Sequence, residues 1–244
     1  MTETILNECK NCGASFEGNF CSSCGQKANV KRFIVKNIPG EFIHGFFHVH
    51  HGFLFTVKEL FIRPGVSIRA YIAGKRVTYF NPFTYLVLLS ILVGFMFSHS
   101  GMMEHVRENF MASGETLQFT RKHFSYRLLL SIPAYTLMTW ILFKPFKYNF
   151  AEHFIVNTFL ISQATLIYCI WLLVLKISNP NPESFQIMFS SGHISVMIYQ
   201  IISLYSLFNS GKPKIRLLKS TVAVISGLVI SLMAVNYMVI HLLS

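Results

Sequence analysis

Four of the chain's five cysteines fall within its first 24 residues, as Cys9-Lys-Asn-Cys12 and Cys21-Ser-Ser-Cys24. Two Cys-x-x-Cys knuckles offer four thiolates to one ion, the donor set of a tetrahedral zinc site with Zn–S of about 2.3 Å. Glycine follows each second cysteine, at Gly13 and Gly25, where a tight turn needs positive φ. Four thiolates close the coordination sphere, so such a zinc is structural and not catalytic. A segment this small has no core of its own, and the metal supplies most of its folding energy. Redox dithiols and an iron site are the alternatives, but neither knuckle sits in a βαβ pattern. One structural zinc is the expected cofactor.

Other residues invite chemistry less strongly. His44, His48 and His51 recur at i, i+4 and i+7, the spacing at which imidazoles on one helix face share a metal or sense pH. The bland alternative is a helix whose polar face uses histidine at a membrane surface. Arg63, Arg69, Lys75 and Arg76 precede the first long apolar run. They are either contacts to anionic lipid, each worth about 1 kcal/mol, or ordinary positively charged anchors. His193 lies inside an apolar run, where an ionisable residue is a functional candidate; its alternative is hydrogen bonding between helices. The chain has no aspartate. Its glutamates show no partner motif, so no catalytic residue is assigned, and Cys169 reads as a small packed hydrophobe.

The elements that must position these residues read as a membrane protein. Hydrophobic residues make up 52% of the 244 and charged residues 13%, half the charge of a typical soluble domain. The apolar residues gather in five uncharged runs, at about 80–97, 128–143, 154–175, 186–208 and 220–243. Four meet the length of about 17–25 residues that a spanning helix requires. The second is short, contains Pro133, and is either a span or a re-entrant segment. Residues 1–30 are polar and lack an apolar leader, which predicts a cytosolic N-terminus whose thiols stay reduced. With that end inside, 16 Lys and Arg fall on the cytosolic side and 5 outside, as the positive-inside rule requires, and the C-terminus lies outside. The net charge of +11 is therefore read as membrane anchoring, and nucleic acid is disfavoured as a partner.

The expected fold is an all-α membrane bundle of about five spans, preceded by two smaller parts. Residues 1–30 form the zinc ribbon, 31–79 an interfacial amphipathic segment, and 80–244 the bundle. In the middle part Phe42, Phe46, Phe53 and Leu60 mark a helix over 41–62. Pro64-Gly65 ends it, and a short helix over 66–73 follows, stopped by Gly74.

An ordered series of motifs carries a resemblance. It runs Cys9-x-x-Cys12-Gly, Gly18-Asn-Phe-Cys21-x-x-Cys24-Gly-Gln26, Gly52-Phe-Leu-Phe-Thr56, Arg63-Pro-Gly, Tyr71-Ile-Ala-Gly-Lys-Arg76 and Tyr79-Phe-Asn-Pro-Phe-Thr-Tyr85. Over residues 9–90 this resembles an uncharacterised family of bacterial membrane proteins, common in Bacteroidetes, of unknown function and with an N-terminal zinc ribbon. The resemblance implies zinc and the bacterial inner membrane, and no activity. The layout of five spans after a cytosolic N-terminus is also similar to the Yip family of trafficking-associated membrane proteins.

These readings favour a non-enzymatic protein whose ribbon and interfacial helix dock a cytosolic protein partner while the bundle anchors or senses. A transporter or channel using the polar faces of spans three to five is the alternative, and a lipid-modifying enzyme a weaker one. Membrane lipids are expected contacts, and a homo-oligomer is compatible.

Overall fold

The structure, a computed structural model, describes residues 7–38, 40, 52–99, 128, 131–178, 180–209 and 211–243. The ribbon is built from two knuckles. Strands β1 (Asn7–Glu8) and β2 (Ser15–Phe16) pair antiparallel around the first, Asn7 opposite Phe16. A bridge between Phe20 and Lys27 closes the second. Each knuckle turns through its glycine: Gly13 donates to the Cys9 carbonyl and Gly25 to that of Cys21, with φ of 78° and 74°.

Two short helices follow. Helix α1 (Phe53–Ile62) starts after Gly52, whose φ is 115° and where a Cβ would lie 2.7 Å from the Thr78 carbonyl oxygen. Only glycine fits both demands. Residues 41–51, the first half of the helix expected over 41–62, lie outside the described residues. Helix α2 (Pro64–Ala73) opens on proline at its first turn and closes at Gly74, where the Gly74 and Lys75 amides fold back onto Tyr71 and Ala70 carbonyls. This is a glycine C-cap of the Schellman kind.

The bundle comprises α3 (Pro82–His99), α4 (residues 131–142), α5 (Phe150–Ser178), α6 (Pro182–Leu207) and α7 (Pro213–Leu243). Asn81 caps α3 by accepting from the Phe83 and Thr84 amides, and Asn181 caps α6 through the Ser184 amide. At α5 the cap is reciprocal: Asn149 Oδ1 accepts from the Glu152 amide, and Glu152 Oε2 from the Asn149 amide. Two of the four orphan amides at that end are thereby satisfied.

Helices α5, α6 and α7 are long and apolar enough to cross a membrane; the described part of α3 is shorter. The twelve helical residues described over 131–142 in α4 span about 18 Å at the rise of an α-helix, less than a ~30 Å hydrocarbon core. Among the described residues, three candidate spans are present where five apolar runs were expected. Helix α5 is the central one, its polar residues Asn157, Ser162 and Gln163 all buried. Phe83, near the start of α3, packs on Phe154, near the start of α5. Phe143, after α4, stacks on Phe208, after α6, at 4.0 Å. The starts of α3 and α5 and the ends of α4 and α6 therefore share one end of the bundle.

The ribbon does not stand apart from this bundle. Phe33, in the linker, is buried with Tyr71, Phe80, Phe159 and Phe208 in one continuous core. The Asn149 side chain donates to the Phe33 carbonyl. The compositional boundary near residue 30 is not a break in packing.

Candidate metal centre

The two knuckles bring the Sγ atoms of Cys9, Cys12, Cys21 and Cys24 within 4.8 Å of one another. Cys9 and Cys24 are 3.5 Å apart, and Cys12 and Cys21 3.6 Å. A disulfide requires about 2.05 Å, so these are free thiols. A tetrahedron of sulfurs about 2.3 Å from a central ion has edges of about 3.8 Å, close to what is seen. The donor set fits one thiophilic ion. The Cys12 backbone amide, helped by that of Asn11, pulls the Cys9 thiol down to about 6 against the opposing effect of burial, while burial and the neighbouring thiols push that of Cys12 up.

The centre is small but well connected. Asn11, between Cys9 and Cys12, accepts through Oδ1 from the Thr78 amide at 3.2 Å and the Thr78 hydroxyl at 2.9 Å. Gln26, two residues after Cys24, donates to the Gly74 carbonyl at 2.6 Å. Its Oε1 accepts from the Arg76 and Val77 amides at 3.1 and 3.3 Å, and its carbonyl accepts from the Cys21 amide. Residues 75–81 have no helix or strand to pair their peptide groups, so the knuckles supply partners that backbone groups require. On Gly74 itself, Lys10 of the first knuckle lies so close that a Cβ would meet its Cδ at 2.9 Å.

A second bond ties the ribbon linker to the bundle. Arg32 grips Glu152 with Nε at 2.6 Å and Nη2 at 2.7 Å, and also donates to the Lys147 carbonyl. The Glu152 hydrogen bond raises the Arg32 guanidinium above its ordinary value.

The remaining expected residues are placed as follows. His44, His48 and His51 lie outside the described residues. Arg63 forms a two-point ion pair with Glu59 on α1, and its hydrogen bond holds the Glu59 carboxyl below the usual range. Arg69 donates to the Ser206 and Leu207 carbonyls, closing the end of α6 where unpaired carbonyls and the helix dipole favour a cation. Arg76 donates to the Lys31 carbonyl and lies over the Phe33 ring at 3.7 Å. Lys75 is exposed. Three of the four cations are thus bound within the fold rather than gathered at one anion site. His193 is exposed on the flank of α6, bonded to the carbonyl of Phe189 one turn earlier and packed against Tyr168. It lines no polar interior.

Composition and spacing did not reveal Asn11, Gln26, Glu59, Glu152 or His153. The cap signature Asn-x-x-Glu at 149–152 was the available signal for Glu152. His153 is fully buried, stacked on Phe208 at 5.6 Å. Among the described residues neither of its ring nitrogens has a hydrogen-bond partner.

No curated protein and no solved structure matches this chain. Residues 51–94, which carry α1, α2, the loop held by the ribbon and most of α3, match the family model described as a protein of unknown function, DUF3667.

Proposed function

We propose that this chain is a non-enzymatic, multi-pass membrane protein whose zinc-loaded ribbon acts as a cytosolic clamp on the entrance to the bundle. The observation that carries the reading is the pair Asn11 and Gln26. Both are positioned by the metal knuckles, and both satisfy the peptide groups of 74–78. A metal at the four cysteines then fixes the geometry of the loop that feeds α3. Zinc is the best fit, since four thiolates with near-tetrahedral spacing suit it and leave no position for substrate. The cations at 144, 147, 212 and 214 sit at this same end of the bundle. This supports an inward-facing ribbon end under the positive-inside rule, and the bacterial inner membrane is the location in keeping with such a chain. The exposed remainder of the ribbon, including Phe20, is the surface offered to a cytosolic protein partner, so that metal loading and partner docking act on one clamp.

Metal content of detergent-purified protein, measured with hydrogen exchange of residues 74–80, tests this. One zinc per chain, lost in Cys21→Ser/Cys24→Ser together with protection of 74–80, supports the clamp. Retained protection without metal overturns it.

A transport reading is favoured by one observation, the buried polar line on α5. Asn157 donates to Thr139, and Gln163 accepts from the Tyr85 hydroxyl. Proteoliposome flux altered by Gln163→Leu, with metal content unchanged, would promote that reading over the clamp.

A further inference from the structure

Helix α1 is apolar on its outward side and mixed on its inward side, where Leu60 is buried and Phe53 and Val57 pack on the core beside two polar residues. Its bundle-facing side carries Thr56 and Glu59, 0% and 6% exposed. Thr56 Oγ1 accepts from the Phe80 amide. Glu59 accepts from Arg63 and from the Ser67 hydroxyl. The outward side carries Leu54, Phe55, Phe61 and Ile62 at 79, 40, 44 and 66% exposure, with Lys58 among them. A helix resting on a protein in water turns charged and polar residues outward instead. Four large side chains left in water on one short helix would give up most of their burial free energy.

The position of α1 along the bundle gives the occupant. Tyr199 donates to the Leu60 carbonyl, and it lies eight residues, about 12 Å, before the end of α6. Gln163 reaches the Val57 carbonyl from thirteen residues, about 20 Å, into α5. The carboxyl half of α1 therefore lies alongside the spans and not beyond their ends. Large apolar side chains are exposed on the spans as well, at Ile91 and Phe95 of α3 and at Ile198 and Ile202 of α6.

Resting on the membrane reading above, we infer that α1 is embedded in the acyl region of the leaflet on the ribbon side. Lipid chains cover Leu54, Phe55, Phe61 and Ile62, and Lys58 reaches toward headgroup phosphates. Its side chain has the length for it: a long apolar stem in the hydrocarbon with a charged tip at the interface. The hairpin of α1 and α2 is then a wedge within one leaflet, deeper than a helix floating at the surface.

The test is fluorescence quenching in proteoliposomes, with metal content as the check on folding. Leu54→Trp and Ile62→Trp are compared with Ile91→Trp, each corrected for Trp140 and Trp171 with the unaltered protein. Phosphatidylcholine brominated on its acyl chains should remove the added fluorescence at 54 and 62 as strongly as at 91, and aqueous iodide should leave it. Iodide quenching at 54 and 62, with bromolipid quenching at 91, would place α1 in water and overturn the inference. Resistance to both quenchers would show a protein cover and overturn it equally. Loss of bromolipid quenching at 91 as well would instead mean that the membrane reading itself had failed.

Discussion

Arg32 and Glu152, 120 residues apart in the chain, form a two-point ion pair in which the carboxylate is buried and the guanidinium more than half exposed. The same carboxylate closes the α5 cap through the Asn149 amide. Arg32→Ala leaves that buried charge with its cap bond alone. Solvent reaching the arginine side moderates the loss, so the cost is about 1–2 kcal/mol, between exposed and buried pairs. Glu152→Gln removes the charge and keeps an acceptor for Arg32, and should cost less. Thermal unfolding of both variants in detergent checks the order; a larger loss for Glu152→Gln would contradict it.

Gln26→Ala removes three hydrogen bonds to the 74–77 backbone and Asn11→Ala two to Thr78. Each is worth about 0.5–1.5 kcal/mol, and the cysteines are untouched. Hydrogen exchange at 74–78 should accelerate by about tenfold or more in Gln26→Ala, with metal content unchanged. Accelerated exchange accompanied by loss of metal would mean that Gln26 supports the ribbon itself rather than the loop.

Acidification should weaken the α1–α2 hairpin through Glu59. Its carboxyl is held below the ordinary glutamate value, first by the Arg63 hydrogen bond. A depressed carboxylate contributes stability that is complete above the unfolded value of about 4.3 and is lost as pH falls through the folded value. The unaltered protein should therefore lose thermal stability below about pH 4.3, and Glu59→Gln should show a flatter profile there. Parallel profiles for the two proteins would exclude this origin.

His153 presents an unusual trade. The ring fills space against Phe208 and Tyr148, yet its nitrogens go unpartnered among the described residues. His153→Phe keeps the stacking and removes buried polar atoms, so it should be neutral or stabilising by about 1 kcal/mol. His153→Ala opens a cavity and should cost about 2–4 kcal/mol. If phenylalanine proved as damaging as alanine in thermal unfolding, a partner for the imidazole, such as a bound water, would have to be supplied.

Gly65 lies where α2 crosses the end of α6, and a Cβ there would come 2.4 Å from the Leu207 amide nitrogen and the Ser206 hydroxyl. Backbone cannot yield as a flexible side chain does. Gly65→Ala should lower stability by about 1–3 kcal/mol, the usual cost of overpacking, and weaken the Arg69 cap on α6. Exchange of the last turn of α6 reads that weakening directly.

What could be read from the residues, and what could not, divides along physical lines. The cluster of four cysteines was legible because thiols at two short spacings leave few other uses. The short helix ended by Gly74 was legible because proline and glycine act locally. The role of Asn11 and Gln26 was not, because a polar residue in a small ribbon looks solvated until the loop it faces is known. Arg63, Arg69, Lys75 and Arg76 read, by proximity in sequence, either as contacts to anionic lipid or as ordinary positive anchors. In the fold the three arginines diverge to a carboxylate, a helix end and an aromatic ring, a matter of long-range contacts that spacing does not encode. The apolar periodicity through Phe53 and Leu60 located the inward face of α1. The equally apolar opposite face, Leu54 to Ile62, leaves almost no amphipathic contrast to find.

The Arg32–Glu152 pair also sets an order of assembly. The knuckles close over a span of sixteen residues and can take up metal as soon as Cys24 has left the ribosome. Their docking surface arrives later: Thr78 comes 67 residues after Asn11, and Glu152 comes 120 after Arg32. At about 5–20 residues per second, roughly 6–24 s of synthesis separate Arg32 from Glu152. During that interval the ribbon is complete but undocked, and it can latch only once the chain that carries Thr78 and Glu152 has been delivered to the same side as the ribbon.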